Sequence, residues 1–319
     1  MGRFPEPRVL DASLLLGLVS VAGWAVWAWL DGGHAPPAVA PVGIVLLGLV
    51  VLGLVYLGPG LLPASRARTA MTAALVAFAL WNFLSVAWAD FPGEAWSGAN
   101  KAAAYVAGFL VLALWRIPPR SLAVLLGAFT LVTAVTAAVV LARVVASAAP
   151  EAFFVDSRLG SPTGYVNGNV ALWMAALWPA LHLGSRRDLA PWLRALFLAA
   201  GTLLVDVAVL GQSRAWLAVL PVAVVVFVAL QAQRLRALLA LAVVGGAAAI
   251  AVRPLLDVYD RAAAGGSLAV PADEAAPFVA LAVAAAGAVG VVWALADARV
   301  AVAPRVARAV GIAVVAAAL

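Results

Sequence analysis

The chain has 319 residues, 66% of them hydrophobic and 11% charged, with a mean hydropathy of +1.10. That balance excludes a water-soluble domain, because too few polar side chains remain to cover the exterior and lipid must cover it instead. The net charge of +6 is spread as clusters of two or three basic residues between long apolar runs, the pattern of membrane-flanking loops rather than of a nucleic-acid groove, and the lack of cysteine excludes a disulfide framework and a thiolate metal site.

The first apolar run, about residues 10 to 30, follows Arg3 and Arg8. It is about twice as long as a cleaved signal's apolar region, so it reads as a retained signal anchor. About 20 apolar residues cross the hydrocarbon layer as a helix. Further candidates follow near 39 to 62, 70 to 88, 100 to 115, 121 to 147, 167 to 184, 191 to 211, 215 to 231, 237 to 252 and 277 to 296. After Arg308 eleven apolar residues run to Leu319, read as the start of another span in a longer chain. The expected fold is all-α, a polytopic transmembrane bundle of about ten complete spans plus a truncated one. Its divisions are 1–149, the first five helices; 150–235, a core carrying the motifs described below; and 236–319, further helices.

Placing the N-terminus in the cytoplasm puts 14 of the 20 basic residues inside, among them Arg66, Arg120, Arg186, Arg187, Arg194, Arg234, Arg236, Arg299 and Arg305. Lys101, Arg143, Arg158, Arg214, Arg253 and Arg261 fall outside. This asymmetry orients the chain. The longest outer loops are expected at about 148 to 166 and 253 to 276.

The first of these loops reads Asp156-Ser157-Arg158-Leu159-Gly160-Ser161-Pro162-Thr163-Gly164-Tyr165-Val166-Asn167-Gly168-Asn169 and runs into an apolar helix. Asn167 or Asn169 is placed to cap that helix. Its first N–H groups, with Arg158 beside them, would form an anion site at the outer face. An ordinary capped loop, with its arginine reaching to the interface, accounts for the same residues. The second feature is the short outer turn Gly211-Gln212-Ser213-Arg214. An arginine here runs against the positive-inside bias, so it marks either a function or an anchor on lipid phosphate. Asp206 is the one acid expected at hydrocarbon depth, where it must be protonated, paired or in a wet cavity; Arg158 and Arg214 are its candidate partners. Two guanidiniums on one face suit a diphosphate, whose oxygens match their paired donors. Arg143, Arg253, Arg261 and Lys101 are weaker candidates for the same surface.

Phosphate-binding, dinucleotide-binding, zinc-protease and serine-hydrolase signatures are absent from the sequence. Of the two histidines, His34 lies in a short outer loop and His182 near an inner helix end, neither a promising base. The tryptophans, including Trp24, Trp29, Trp88, Trp96, Trp115, Trp178 and Trp192, mostly fall near span ends, as interface anchors do.

The stretch from Arg158 through Asn169, followed by a span, a basic inner turn, another span and Gln212-Ser213-Arg214, resembles the core of the O-antigen ligase and polymerase family. The resemblance covers about residues 150 to 235. It implies a bacterial cytoplasmic-membrane protein that transfers a glycan from an undecaprenyl pyrophosphate carrier to an acceptor at the outer face. Membrane lipids and that lipid-linked glycan are the implied partners, with no nucleic acid, no cofactor and no metal. Arg158 and Arg214 would hold the pyrophosphate, with Tyr165, Asn167, Asn169, Asp206 and Ser213 in support. The family also places an essential histidine in a large outer loop. Here 253 to 276 carries Asp257, Asp260, Asp273 and Glu274 but no histidine, so the acceptor-activating group is unassigned and that loop is expected beyond Leu319. Two other readings stay open: a transporter or flippase of a lipid-linked or anionic solute, and a non-catalytic membrane component of polysaccharide export.

Overall fold

The computed structural model describes residues 12–33, 36–57, 66–114 and 117–297. Arg3, Arg8, His34, Trp115, Arg116, Arg299, Arg305, Arg308 and the final apolar stretch lie outside them. The described chain is all-α apart from one small hairpin, and it falls into two compact units, one of residues 1–20 and 33–122 and the other of 21–32 and 123–319.

In the first unit, α2 (Pro36–Leu57), α3 (Arg66–Ser85) and α4 (Pro92–Leu114) pack with the start of α1 (Ala12–Trp29). The contacts are made by small and branched residues: Val50, Ala107 and Val111 meet Leu16 and Leu46, and Ala79, Ala102 and Val106 meet Leu75.

The second unit holds α5 (Pro119–Ala146), the hairpin strands β1 (Phe154–Val155) and β2 (Arg158–Leu159), and α6 (Val166–Ser185), α7 (Pro191–Leu210), α8 (Arg214–Leu230), α9 (Arg234–Ala263) and α10 (Ala269–Asp297). Helix α7 is its axis, packed against α6, α9 and α10. Close approach depends on missing side-chain volume. A Cβ on Gly184 would stand 2.7 Å from a Leu198 methyl, and one on Gly290 would stand 2.9 Å from the Ala195 Cα. Small residues at such crossings let helices meet where hydrophobic expulsion from water is not available to hold them. Leu204 of α7 packs in a core with Trp173, Leu255 and Ala282, each less than 2% exposed.

The expectation of about ten spans is met in part. There are ten α-helices among the described residues, and five segments are both long and apolar enough to cross a membrane: Thr69–Trp88, Pro119–Ala146, Pro191–Leu210, Arg234–Ala263 and Ala269–Asp297. Helices α1, α2 and α8 offer shorter apolar stretches. Helix α4 carries Glu94, Asn100 and Lys101 in its first half, and α6 carries Asn167, Asn169 and His182. The outward faces are apolar in both units, with Ile44 71%, Leu80 63%, Val222 64% and Val292 68% exposed. Faces of this kind suit lipid rather than water.

One boundary is corrected. The expected outer loop at 253 to 276 is mostly helix, because α9 continues through Pro254 to Ala263 and α10 begins at Ala269 and continues through Pro277. Proline is tolerated inside apolar helices where neighbouring groups satisfy the freed carbonyl. Only 264 to 268 remain as the connection.

Candidate diphosphate site

Two turns and two helix starts build a cleft at one end of the second unit. The first turn is the hairpin. Phe154 pairs with Leu159 and Val155 with Arg158, leaving Asp156 and Ser157 as a two-residue turn. Both take positive φ, +46° and +66°, as the mirror-image turn that matches strand twist requires. Aspartate tolerates this conformation but serine rarely adopts it, so the second position of the turn is held by its surroundings. Those surroundings are specific. Gly160 and Ser161 N–H both donate to the Phe153 carbonyl at 3.0 and 3.1 Å. The Asn169 Nδ2 donates to the Leu159 carbonyl at 3.2 Å. Leu159 and Asn169 are fully buried, so Arg158 projects from an anchored backbone.

The second turn follows α7. Gly211 ends the helix against Val170, where a Cβ would overlap the valine methyl. Gln212 then takes positive φ, +42°, and its Nε2 donates to the Val209 carbonyl at 2.7 Å. Ser213 caps α8, its Oγ accepting the Trp216 N–H at 3.3 Å. Arg214 is therefore the first residue of α8, where the helix dipole is also positive. A cation at that end is unfavourable by itself and favourable once an anion is present.

The asparagines do not cap α6 as expected. Tyr165 occupies the capping position and its side chain makes no capping bond, because the helix begins at Val166 and leaves both asparagines inside it. Asn167 instead bridges the two turns. Its Oδ1 accepts from Ser213 Oγ at 3.0 Å, and its Nδ2 donates to the Tyr165 hydroxyl at 3.3 Å. Asn169 points inward, tying α6 to β2.

The resulting cleft holds about 420 Å³ and is lined by Arg158, Arg214, Asn167, Gln212, Asp156 and Tyr259. Arg158 and Arg214 thus face one space, although they stand 56 positions apart in sequence. Asp156 stands 3.9 Å from Arg158 and is 85% exposed, too solvated to neutralise the site. An apolar slot of about 250 Å³ adjoins the cleft, sharing Gln212 and lined by Val170, Met174, Val205, Trp216 and Leu220 among others.

Asp206 is fully buried on α7, and neither carboxyl oxygen has a hydrogen-bond partner among the described residues. It pairs with neither Arg158 nor Arg214. They sit beyond the end of the helix, and Asp206 lies six residues before Gln212, about 9 Å along the axis. The weaker candidates also stay out of the cleft. Arg143 stacks on Trp29 at 4.8 Å, and Arg253 pairs with Asp257 at 3.3 Å, one turn along α9. Lys101 and Arg261 are not among the cleft's lining residues. His182 shares a 2.9 Å hydrogen bond with Gln231 at the opposite end of the unit. Tyr259, Gln212 and Trp216 were not singled out from the sequence. Gln212 lay inside a recognised motif, whereas nothing local marks Tyr259, which the packing of α9 brings to the cleft.

Fold and site together define a class: an α-helical chain with several helices long and apolar enough to cross a membrane, and a basic cleft opening at helix ends beside an apolar slot. Compared with family models, curated proteins and solved structures, the chain gives no match.

Proposed function

We infer that this chain is a membrane glycan transferase of the O-antigen ligase or polymerase type, acting on a lipid-diphosphate-linked glycan. In this reading it sits in a bacterial cytoplasmic membrane with about ten spans, its N-terminus inside and the cleft at the outer face. The observation that carries the reading is the convergence of Arg158 and Arg214 on one cleft. Their fork-shaped donors match phosphate oxygens, and the start of α8 adds a third source of positive potential.

The chemistry follows from charge. When an acceptor hydroxyl attacks the anomeric carbon, the carbon–oxygen bond to the carrier breaks and the leaving diphosphate gains negative charge. Guanidiniums already in place stabilise that charge without reorganisation. The donor arrives activated by its own lipid diphosphate, so no nucleotide is consumed.

The test mixes the protein in lipid nanodiscs with undecaprenyl-diphosphate-linked oligosaccharide and acceptor glycan, and measures free undecaprenyl diphosphate. Arg158→Ala and Arg214→Ala are each expected to lower release about a hundredfold or more. Unchanged release in both variants would sink the proposal. A transporter of an anionic lipid is the second reading. It is favoured by Asp206, the one fully buried acid among the described residues. Movement of the lipid across the bilayer with no bond cleaved would establish it instead.

A further inference from the structure

The slot beside the arginine cleft is lined mainly by aliphatic side chains of α6, α7, α8 and α9, with Gln212, Ser213 and Trp216 as its polar groups. The side chains of Gln212 and Ser213 are already engaged, and that of Trp216 is not. Trp216 stands on α8 half a turn past Arg214, and its indole N–H is buried with no hydrogen-bond partner among the described residues. A buried indole donor ordinarily finds an acceptor, and leaving it unpaired costs free energy. Nothing among the described residues supplies one. The Ser213 Oγ is occupied by the Trp216 backbone N–H and by Asn167, and Gln212 is turned to the Val209 carbonyl.

Cleft and slot meet at Gln212, so one molecule can fill both only if it is anionic at one end and hydrocarbon at the other. The geometry points to Trp216 as the residue that recognises the junction of such a molecule: its indole N–H donates to the ester oxygen joining the diphosphate to an isoprenoid chain. The chain's first units then lie in the slot between Met174, Val205 and Leu220. This rests on the diphosphate reading of the cleft. It adds that the site selects for a chain esterified to the diphosphate, and that selection runs through α8.

The test compares inorganic pyrophosphate with farnesyl diphosphate, binding to the protein in nanodiscs with binding to empty nanodiscs subtracted. Wild type is expected to bind farnesyl diphosphate at least tenfold more tightly than pyrophosphate. Trp216→Phe is expected to weaken farnesyl diphosphate about five- to tenfold and leave pyrophosphate unchanged, which also shows that the variant is folded. Leu220→Trp, which fills the slot, is expected to bring farnesyl diphosphate down to the pyrophosphate level. Equal wild-type affinity for the two probes overturns the slot as the chain's seat, and wild-type binding of both probes by Trp216→Phe overturns the role of the indole. If wild type binds neither probe, the diphosphate reading of the cleft fails and this inference fails with it.

Discussion

Ser213 illustrates how single residues hold the cleft. Its hydroxyl caps α8 and donates to Asn167, so one side chain joins the start of α8 to the start of α6. An alanine would remove both bonds at a cost of about 1 kcal/mol or somewhat more. Ser213→Ala is therefore expected to lower the unfolding temperature by a few degrees and weaken pyrophosphate binding severalfold, since Arg214 follows it directly. Titration calorimetry beside a thermal melt checks both, and binding unchanged by the loss would detach the cap from the site. At this scale the sequence was partly legible. Arg158 and Arg214 stand out because they run against the charge bias of the loops. The roles of Asn167 and Asn169 were not legible, because whether an asparagine caps a helix or sits in its first turn depends on where the helix starts. That start is fixed by the hairpin anchored beneath it.

Among elements, the connection between α9 and α10 is the most informative. It is tied to the loop after α5 by Glu151, whose Oε1 accepts the Leu268 N–H at 2.8 Å. That bond, with help from the Glu151 backbone and Ser267, holds the carboxyl below its usual value of 4.5. A carboxylate with a lowered folded-state pKa contributes stability that is complete above the unfolded value and lost as pH falls through the folded one. Protection of the Leu268 amide, measured by hydrogen exchange and corrected for intrinsic rate, should be level from neutral pH down to 4.5 and fall below it. Glu151→Gln should lose most of the protection at neutral pH; an unaffected amide would mean that the tether does not form. The helices themselves were legible from apolar runs, but their ends near 253 and 277 were not. Proline ordinarily stops a helix in a sequence reading, whereas in an apolar bundle the neighbouring helices let it continue.

Across the second unit, the end opposite the cleft is closed by one acid. Asp297 receives Arg194 at 3.2 Å and Arg236 at 2.9 Å, and its carbonyl accepts from Arg187 at 3.0 Å, tying α7, α9 and α10 together. The side chains of Arg194 and Asp297 are only 3% and 10% exposed, and Arg194 also lies over the Trp293 ring at 4.8 Å. Removing the acid leaves the buried Arg194 guanidinium without a counter-charge, which costs about 3 kcal/mol or more. Asp297→Ala is thus expected to lower the melting temperature of the detergent-solubilised protein well beyond Asp188→Ala, whose partner Arg186 is a surface neighbour two residues away. Equal shifts for the two variants would show that the cluster is not what closes this end.

Composition determined that too few polar residues remain to cover the chain's exterior, and the length of the apolar runs determined that its elements are helices long enough to cross a membrane. Local sequence also marked both turns that carry the arginines, because a cation against the charge bias and a run of Gly, Pro and Asn are visible without a fold. Only the tertiary structure decided that Arg158 and Arg214 share a cleft, that Tyr259 and Trp216 adjoin them and that Asp206 does not. Those relations depend on the rotation and register of α6, α7, α8 and α9 about one another. They are set by where glycine and alanine let backbones approach, and the linear pattern of apolar residues does not record them.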